Sequence, residues 1–122
     1  MSLTVFETEF GNFVFDDSAP YAILKFPPET FFTMTRTLAK AFEAIQKAGF
    51  VTCVLDMSGV VYLDSSSIST LLQFAAFASD HGGWLRIVNV NGSQHLRRLF
   101  QIIGLERSFK IYPSISAAAE GA

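Results

Sequence analysis

The sequence predicts an α/β fold, with a mixed and mostly parallel central sheet and helices packed on it. Short apolar runs alternate with helical patterns along most of the chain, which is typical of strands joined by crossover helices. An opening stretch with strand periodicity adds a meander at one edge of the sheet. The 122 residues, 50% of them hydrophobic, suit one domain over 1–122 with its own core and are too few for two.

The opening meander is predicted from alternation and from turn residues. Residues 3–10 alternate between the two sides of a half-buried strand, and Gly11-Asn12 is interpreted as a turn into residues 13–15. Residues 16–20 form a second turn. The apolar residues 21–26 then predict another strand.

A long helix is predicted next. Residues 27–29, Pro-Pro-Glu, suit a helix start, because proline loses no hydrogen bond in the first turn and an acid complements the helix dipole. Apolar side chains then recur every three or four residues as far as Gly49. They are Phe31, Met34, Leu38, Phe42 and Ile45.

The second half of the chain alternates strands with helices. Residues 50–57 form a near-continuous apolar run, typical of a central strand covered on both faces. A helix is predicted from Ser65 to His81, and a buried strand over residues 84–89. Further predicted elements are a turn at 91–93, a third helix closed by Gly104, a short strand at 109–112 and a terminal helix capped by Ser114.

Composition excludes several classes of function. A net charge of −2 with only 16% charged residues lacks the basic surface of a nucleic-acid binder. Cys53 is the single cysteine and lies in an apolar run, so we expect a buried thiol. His81 and His95 have no partner at a ligand spacing, so neither a metal nor another cofactor is expected. With no signal segment and no apolar run long enough for a membrane span, we expect a cytoplasmic protein.

The middle of the chain carries a family resemblance. Residues 54–60, Val-Leu-Asp-Met-Ser-Gly-Val, followed by Tyr-Leu-Asp-Ser-Ser at 62–66, resemble the signature of STAS domains in anti-sigma factor antagonists. A second similarity lies at residues 87–90, 99–105 and 109–112. The resemblance covers most of residues 51–116. It implies the STAS fold and a module that binds an anti-sigma factor with a serine kinase fold, so that the sigma factor is released.

The resemblance also implies a phosphorylation switch. In the family a kinase modifies the Ser or Thr directly after the aspartate that opens the second helix, and a phosphatase reverses the modification. By position the acceptor is Ser65, with Ser66 as the alternative. Asp56 and Asp64 match the two family acids that flank the loop.

The residues alone leave a plainer interpretation open. Asp and Ser cap helices wherever helices begin, so Asp64 and Ser65 could serve only as a cap. A helix N-terminus also accommodates a phosphate at little cost, and a phosphoserine adds about −1.5 to −2 charges. The residues by themselves are compatible with both roles.

A helical wheel adds a candidate contact surface on the second helix. At about 100° per residue, Ile68, Leu71, Leu72 and Ala75 would face the core. An exposed Phe74 and Phe77 would then favour partner binding, unless a neighbouring helix covers them. The predicted partner-binding residues are Tyr62, Leu63, Asp64, Ser66, Thr70, Phe74 and Phe77, with Asp56 as a supporting acid.

The sequence therefore predicts a regulatory binding module, with an anti-sigma factor or serine kinase as partner and a serine phosphatase as a further partner. The alternative is a STAS subunit that scaffolds a signalling or lipid-transport assembly. No nucleophile with its base, metal cluster or phosphate loop is evident, so an enzyme is not expected. A monomer or weak dimer is expected.

Overall fold

A six-stranded mixed sheet forms the centre of the molecule. The computed structural model describes residues 2–88, 94–103 and 109–121, so the predictions for residues 91–93 and Gly104 lie outside the described residues. The strands are β1 Leu3–Thr8, β2 Gly11–Asp16, β3 Ala22–Lys25, β4 Glu29–Thr30, β5 Thr52–Asp56, β6 Tyr62–Leu63, β7 Trp84–Val88 and β8 Ile111–Tyr112. The sheet order is β1-β2-β3-β5-β7-β8, antiparallel up to β3 and parallel beyond it. The predicted fold class is confirmed.

The helices pack on both faces of this sheet. They are α1 Thr35–Lys47, α2 Ser65–Asp80, α3 Gln94–Ile103 and α4 Ile115–Glu120. The faces of α1 and α2 that carry Leu38, Ile45 and Leu71 close the main core over Cys53 and Leu55. On the opposite face α4 lies over β5, β7 and β8. The Ser114 side chain caps α4 as predicted, accepting a 3.1 Å hydrogen bond from the Ala117 N–H.

The first turn of the meander differs from the prediction. Thr8 pairs with Gly11 across the β1–β2 hairpin, so the turn consists of Glu9 and Phe10. Gly11 already belongs to β2, where its φ of 129° favours glycine. A Cβ added there would also lie 2.6 Å from the Pro27 Cβ.

The prediction that residues 27–29 begin a helix is wrong. Glu29 and Thr30 form β4, which pairs in parallel with β6, and α1 begins only at Thr35 after a 3-10 turn. A residue that precedes proline favours extended backbone. Residues 26 and 27 each precede a proline. The Pro28 carbonyl accepts a hydrogen bond from the Val61 N–H at 2.8 Å.

The single cysteine lies in the core, and its burial makes the thiol unreactive. Cys53 is fully buried, and burial raises the pKa of its thiol far above the ordinary value. A thiol in such surroundings is inert because the reactive species is the thiolate. The expectation of a buried cysteine acting as a small apolar side chain is confirmed.

Thr30 in β4 offers a test of the packing. Its side chain is fully buried and its Oγ1 has no hydrogen-bond partner within the described ranges. An unpartnered buried hydroxyl is costly, whereas an apolar group of the same shape is not. We expect Thr30→Val to raise the free energy of unfolding by about 1 kcal/mol, as measured by urea denaturation.

Thr8→Val is the matched control, because the Thr8 Oγ1 accepts a 3.1 Å hydrogen bond from the Phe10 N–H and donates to the Gly11 carbonyl. The same substitution there should lower the free energy of unfolding by about 1 kcal/mol. A loss of stability in Thr30→Val would show that the Thr30 hydroxyl is satisfied in solution.

Candidate functional site

Asp64 fixes the start of α2. Its backbone is extended (φ −97°, ψ 173°), and its Oδ1 accepts hydrogen bonds from both the N–H and the Oγ of Ser67, each 3.0 Å long. This is N-cap geometry, which satisfies one of the otherwise unpaired N–H groups of the first turn. The cap itself is therefore Asp64, and the hydroxyl of Ser65 is not used for that purpose.

The serines of the first turn differ in accessibility. Ser65 and Ser66 are exposed, as is Ser69 one turn later, whereas Ser67 is fully buried against the Asp64 carboxylate. Thr70 is half-buried and its Oγ1 donates to the Ser66 carbonyl at 3.2 Å. Accessible hydroxyls thus stand at the positive end of a helix of 16 residues, where a phosphate is well accommodated.

Asp56 closes the turn that leads toward this helix. Its Oδ1 accepts hydrogen bonds from the Ser58 N–H (3.1 Å) and the Ser58 Oγ (2.7 Å). Because Leu55 faces the main core, Asp56 lies on the other face of the sheet. The structure therefore does not combine Asp56 and Asp64 into one acidic pair. Asp56 contributes by shaping the turn after β5.

Tyr62 and Leu63 point to opposite sides of β6. Tyr62 is 36% exposed, while Leu63 is 1% exposed and lies beside Thr30 in the β4–β6 pair. Alternation along a strand imposes this difference. The prediction of Leu63 as a contact residue is corrected, since its side chain anchors the segment to the core.

The predicted exposure of Phe74 is also wrong. Its side chain is 2% exposed and its ring stacks on Phe42 of α1, with centroids 4.4 Å apart. Phe77 is half-buried, with its ring 6.0 Å from Phe74 and 4.2 Å from His81. Leu72, which the wheel placed in the core, is 38% exposed. The helical wheel assigned the wrong side of α2 to the core. The side that carries Phe74 is buried because α1 lies beside α2 and covers it.

The exposed aromatic surface lies elsewhere, close to the start of α2. Phe10 packs edge-to-face on Phe31 with centroids 5.0 Å apart, and Phe31 lies 5.4 Å from Tyr62. We call these three residues the aromatic cluster. Phe10 is 52% exposed, and Phe32 and Val61, neighbours of the cluster in the chain, are 66% and 57% exposed.

Sequence reasoning identified Tyr62 but missed Phe10, Phe31 and Phe32, although one signal was present. The signal is the doublet Phe31-Phe32. Two adjacent aromatic side chains cannot both lie on one buried face of a helix or strand, so one of them has to be exposed. Phe10 carried no such signal, because residues 3–10 were interpreted as a continuous strand. Its position became evident only from the two-residue hairpin turn.

The described part of the chain gives two negative results. Among residues 2–88, 94–103 and 109–121, no three His, Cys, Asp or Glu side chains are grouped so as to hold a metal ion. Within the same ranges no helix combines the length and the apolar character needed to cross a bilayer.

The fold and the site define an α/β module with accessible serines at a capped helix start and a neighbouring apolar surface. The STAS domain family model matches residues 14–118. The chain belongs to the STAS domain family, and the family resemblance of the sequence is confirmed.

One relative and two solved structures are similar to this chain. A Thermotoga neapolitana protein named as an anti-sigma factor antagonist, a TM1081 homolog, is 30% identical over 79 residues, 65% of this chain and 68% of the relative. The structure of an anti-sigma factor antagonist from Thermotoga maritima superposes with a TM-score of 0.78 at 24% identity, covering 89% of this chain and 92% of that one. Phosphorylated Bacillus SpoIIAA gives 0.68 at 16% identity, covering 90% and 99%. The fold is that of anti-sigma factor antagonists.

A substitution series on α2 tests the corrected orientation. Phe74→Ala should lower the free energy of unfolding by about 3–5 kcal/mol, because it empties a buried position stacked on Phe42. Leu72→Ala, on the exposed side of the same helix, should cost about 1 kcal/mol or less. Urea denaturation compares the two, and equal losses would contradict the orientation.

Proposed function

We propose that this protein is a regulatory binding module that antagonises an anti-sigma factor, and that phosphorylation of Ser65 ends the contact. The observation that carries the proposal is the exposed Ser65, first residue of α2 and directly after the Asp64 cap, at the position where the family resemblance implies the acceptor. The partner is an anti-sigma factor that acts as a serine kinase. A phosphatase restores the binding form, and the exchange takes place in the cytoplasm without catalysis by this chain.

The local structure supports a phosphate at Ser65 without unfolding. Asp64 accepts from the Ser67 N–H, while the N–H groups of Ser65 and Ser66 have no acceptor inside the helix. These groups and the helix dipole favour an anion in the first turn. The modification should therefore act on the surface rather than on the stability of the domain.

The distance between Ser65 and the apolar surface supports a shared interface. Ser65 comes three positions after Tyr62 in the chain, which is at most about 11 Å of extended backbone. A stable protein interface covers about 800 Å² on each partner, equivalent to a disc of about 16 Å radius. A partner seated on the aromatic cluster would therefore also cover the acceptor serine.

The proposed contact surface differs from the one that the sequence predicted. It keeps Tyr62, Asp64, Ser66 and Thr70, which the structure leaves exposed or half-buried near the start of α2. It adds Phe10, Phe32 and Val61, which are exposed apolar side chains. Leu63 and Phe74 are left out because their side chains are buried, and Phe77 is left out because it lies near the other end of α2, beside His81.

The charge of the phosphate supplies the physical basis of the switch. A phosphoserine adds about −1.5 to −2 charges beside Asp64. When the partner binds, an interface formed around the neutral hydroxyl would have to remove water from these charges. The negative charge of Asp64 beside them adds like-charge repulsion to this cost. Each 1.4 kcal/mol of this cost weakens binding about tenfold.

The first test concerns Ser65. The kinase would be isolated by its ability to phosphorylate the protein with ATP, and calorimetry would compare its binding to both forms. We expect the phosphorylated form to bind at least about tenfold more weakly. Ser65→Ala should stay folded and bind but accept no phosphate, whereas Ser66→Ala should be phosphorylated normally.

Two results would contradict this assignment. Phosphate mapped by mass spectrometry to Ser66, with Ser65 unmodified, would show that Ser66 is the acceptor. Equal affinity of the phosphorylated and unphosphorylated protein for the kinase would show that phosphorylation does not control binding. It would favour the alternative of a scaffolding STAS subunit.

The second test concerns the apolar surface. Tyr62→Ala should weaken binding of the unphosphorylated protein by about tenfold or more, because interface aromatics carry a large share of binding energy. Leu3→Ala is the control, since Leu3 is 65% exposed but lies at the start of β1, on the sheet face opposite to the one that α1 and α2 cover. Thermal melts should be nearly unchanged in both, and equal affinities of the two variants would exclude the aromatic cluster from the interface.

A further inference from the structure

A buried serine lies next to the candidate site and takes part in the cap of α2. Within the described ranges the buried polar side chains are Thr30 and Ser67. The Thr30 hydroxyl has no hydrogen-bond partner there, whereas the Ser67 Oγ donates to the Asp64 Oδ1 at 3.0 Å. Ser67 therefore places a hydroxyl inside the core and directs it at the carboxylate that caps the helix.

The helix start is already closed without this hydroxyl. The Asp64 Oδ1 accepts a 3.0 Å hydrogen bond from the Ser67 N–H, and the Asp64 carbonyl accepts one of 3.2 Å from the Ile68 N–H. The Ser67 Oγ adds a second donor from the same residue to the same carboxylate oxygen. Because Ser67 is itself fixed by packing, this second bond fixes the direction of the Asp64 carboxylate.

The Asp64 carboxylate has a competing position nearer to Ser65. The side chain of an N-cap residue accepts from the N–H of the second or the third helical residue, which here are Ser66 and Ser67. Two donors on Ser67 favour the third residue, which leaves the Ser66 N–H without an acceptor inside the helix. A carboxylate turned toward Ser66 would instead occupy this N–H and bring its negative charge closer to Ser65.

We propose that Ser67 is a positioning residue for the phosphorylation of Ser65. Its hydroxyl holds the Asp64 carboxylate on the Ser67 side, so that a phosphate on Ser65 meets free N–H groups and the positive end of the helix dipole. Ser67 acts through Asp64 and does not touch the phosphate. The inference rests on the proposed function in taking Ser65 as the acceptor.

The pKa of a phosphoserine in place of Ser65 tests the inference. The second ionisation of phosphoserine has a pKa of about 6, and a like charge nearby raises it. Phosphoserine would be incorporated there during translation, and its pKa measured by phosphorus NMR titration of the whole protein. We expect Ser67→Ala, which removes only the hydroxyl, to raise this pKa by several tenths, because the carboxylate then competes with the phosphate for the Ser66 N–H.

The same comparison in an Asp64→Asn background separates positioning from a general loosening of the helix start. Asparagine keeps the capping oxygen and removes the charge. In this background Ser67→Ala should leave the phosphoserine pKa unchanged, since there is no carboxylate to release. Ser69→Ala is the matched control, because Ser69 is exposed further along α2, and it should change the pKa in neither background.

Kinetics with the isolated kinase supply a second measurement. Ser67→Ala should lower kcat for the phosphorylation of Ser65 severalfold and change KM little. The reason is that the released carboxylate opposes the negative charge that arrives with the phosphoryl group, whereas the hydroxyl that binds beforehand is neutral. Ser69→Ala should leave both constants unchanged.

Two NMR results would overturn the inference. One is an equal phosphoserine pKa in the wild-type and Ser67→Ala proteins. The other is a rise of the same size with and without Asp64→Asn, which would show that the effect does not pass through the carboxylate. Failure of the proposed function is distinguishable from both, because a different natural acceptor would appear in the phosphate mapping, whereas the NMR comparison needs no kinase.

Discussion

The burial of β5 on both faces is the constraint on which the rest of the structure depends. Cys53, Val54 and Leu55 are fully buried, two of them against α1 and α2 and the third against α4. Such a strand is stabilised by several kcal/mol of apolar burial. It cannot shift by one residue without reversing both faces. The position where β5 ends is therefore fixed.

The candidate site is built outward from that fixed end. The Met57 N–H donates to the Val88 carbonyl at 2.9 Å, and the Phe26 N–H donates to the Asp56 carbonyl at 3.1 Å. The Asp56 side chain turns the chain through Ser58. The short β4–β6 pair then aligns Tyr62 and Leu63, so that Asp64 caps α2 with its first hydroxyls exposed. A series of local hydrogen bonds thus connects the rigid core to the exposed serines at the start of α2, among them the proposed acceptor.

Sequence reasoning succeeded where one periodicity dominates and failed where two compete. The stripe of α1 and the apolar run of β5 each have one interpretation, and both elements are present, although α1 begins at Thr35 and not at residues 27–29. In α2 apolar residues occur on all sides, including Leu72, Phe74 and Phe77, so the wheel could not determine which side meets α1. The β4–β6 pair has two residues in each strand and depends on contacts between distant segments, which local patterns do not encode. The cap at Asp64 was recognisable because its chemistry is local.

The proposed switch needs only a small part of the binding energy to be effective. A micromolar complex corresponds to about 8 kcal/mol, and a hundredfold loss of affinity to about 2.8 kcal/mol. Bringing a charged group into an interface without a compensating partner costs several kcal/mol, so one phosphate at Ser65 is sufficient. The aromatic cluster can therefore supply most of the affinity in a fixed geometry while the serine determines whether the complex persists. Because the cap on α2 is made by Asp64 and Ser67, the acceptor hydroxyl can change its charge without loosening the helix that presents it.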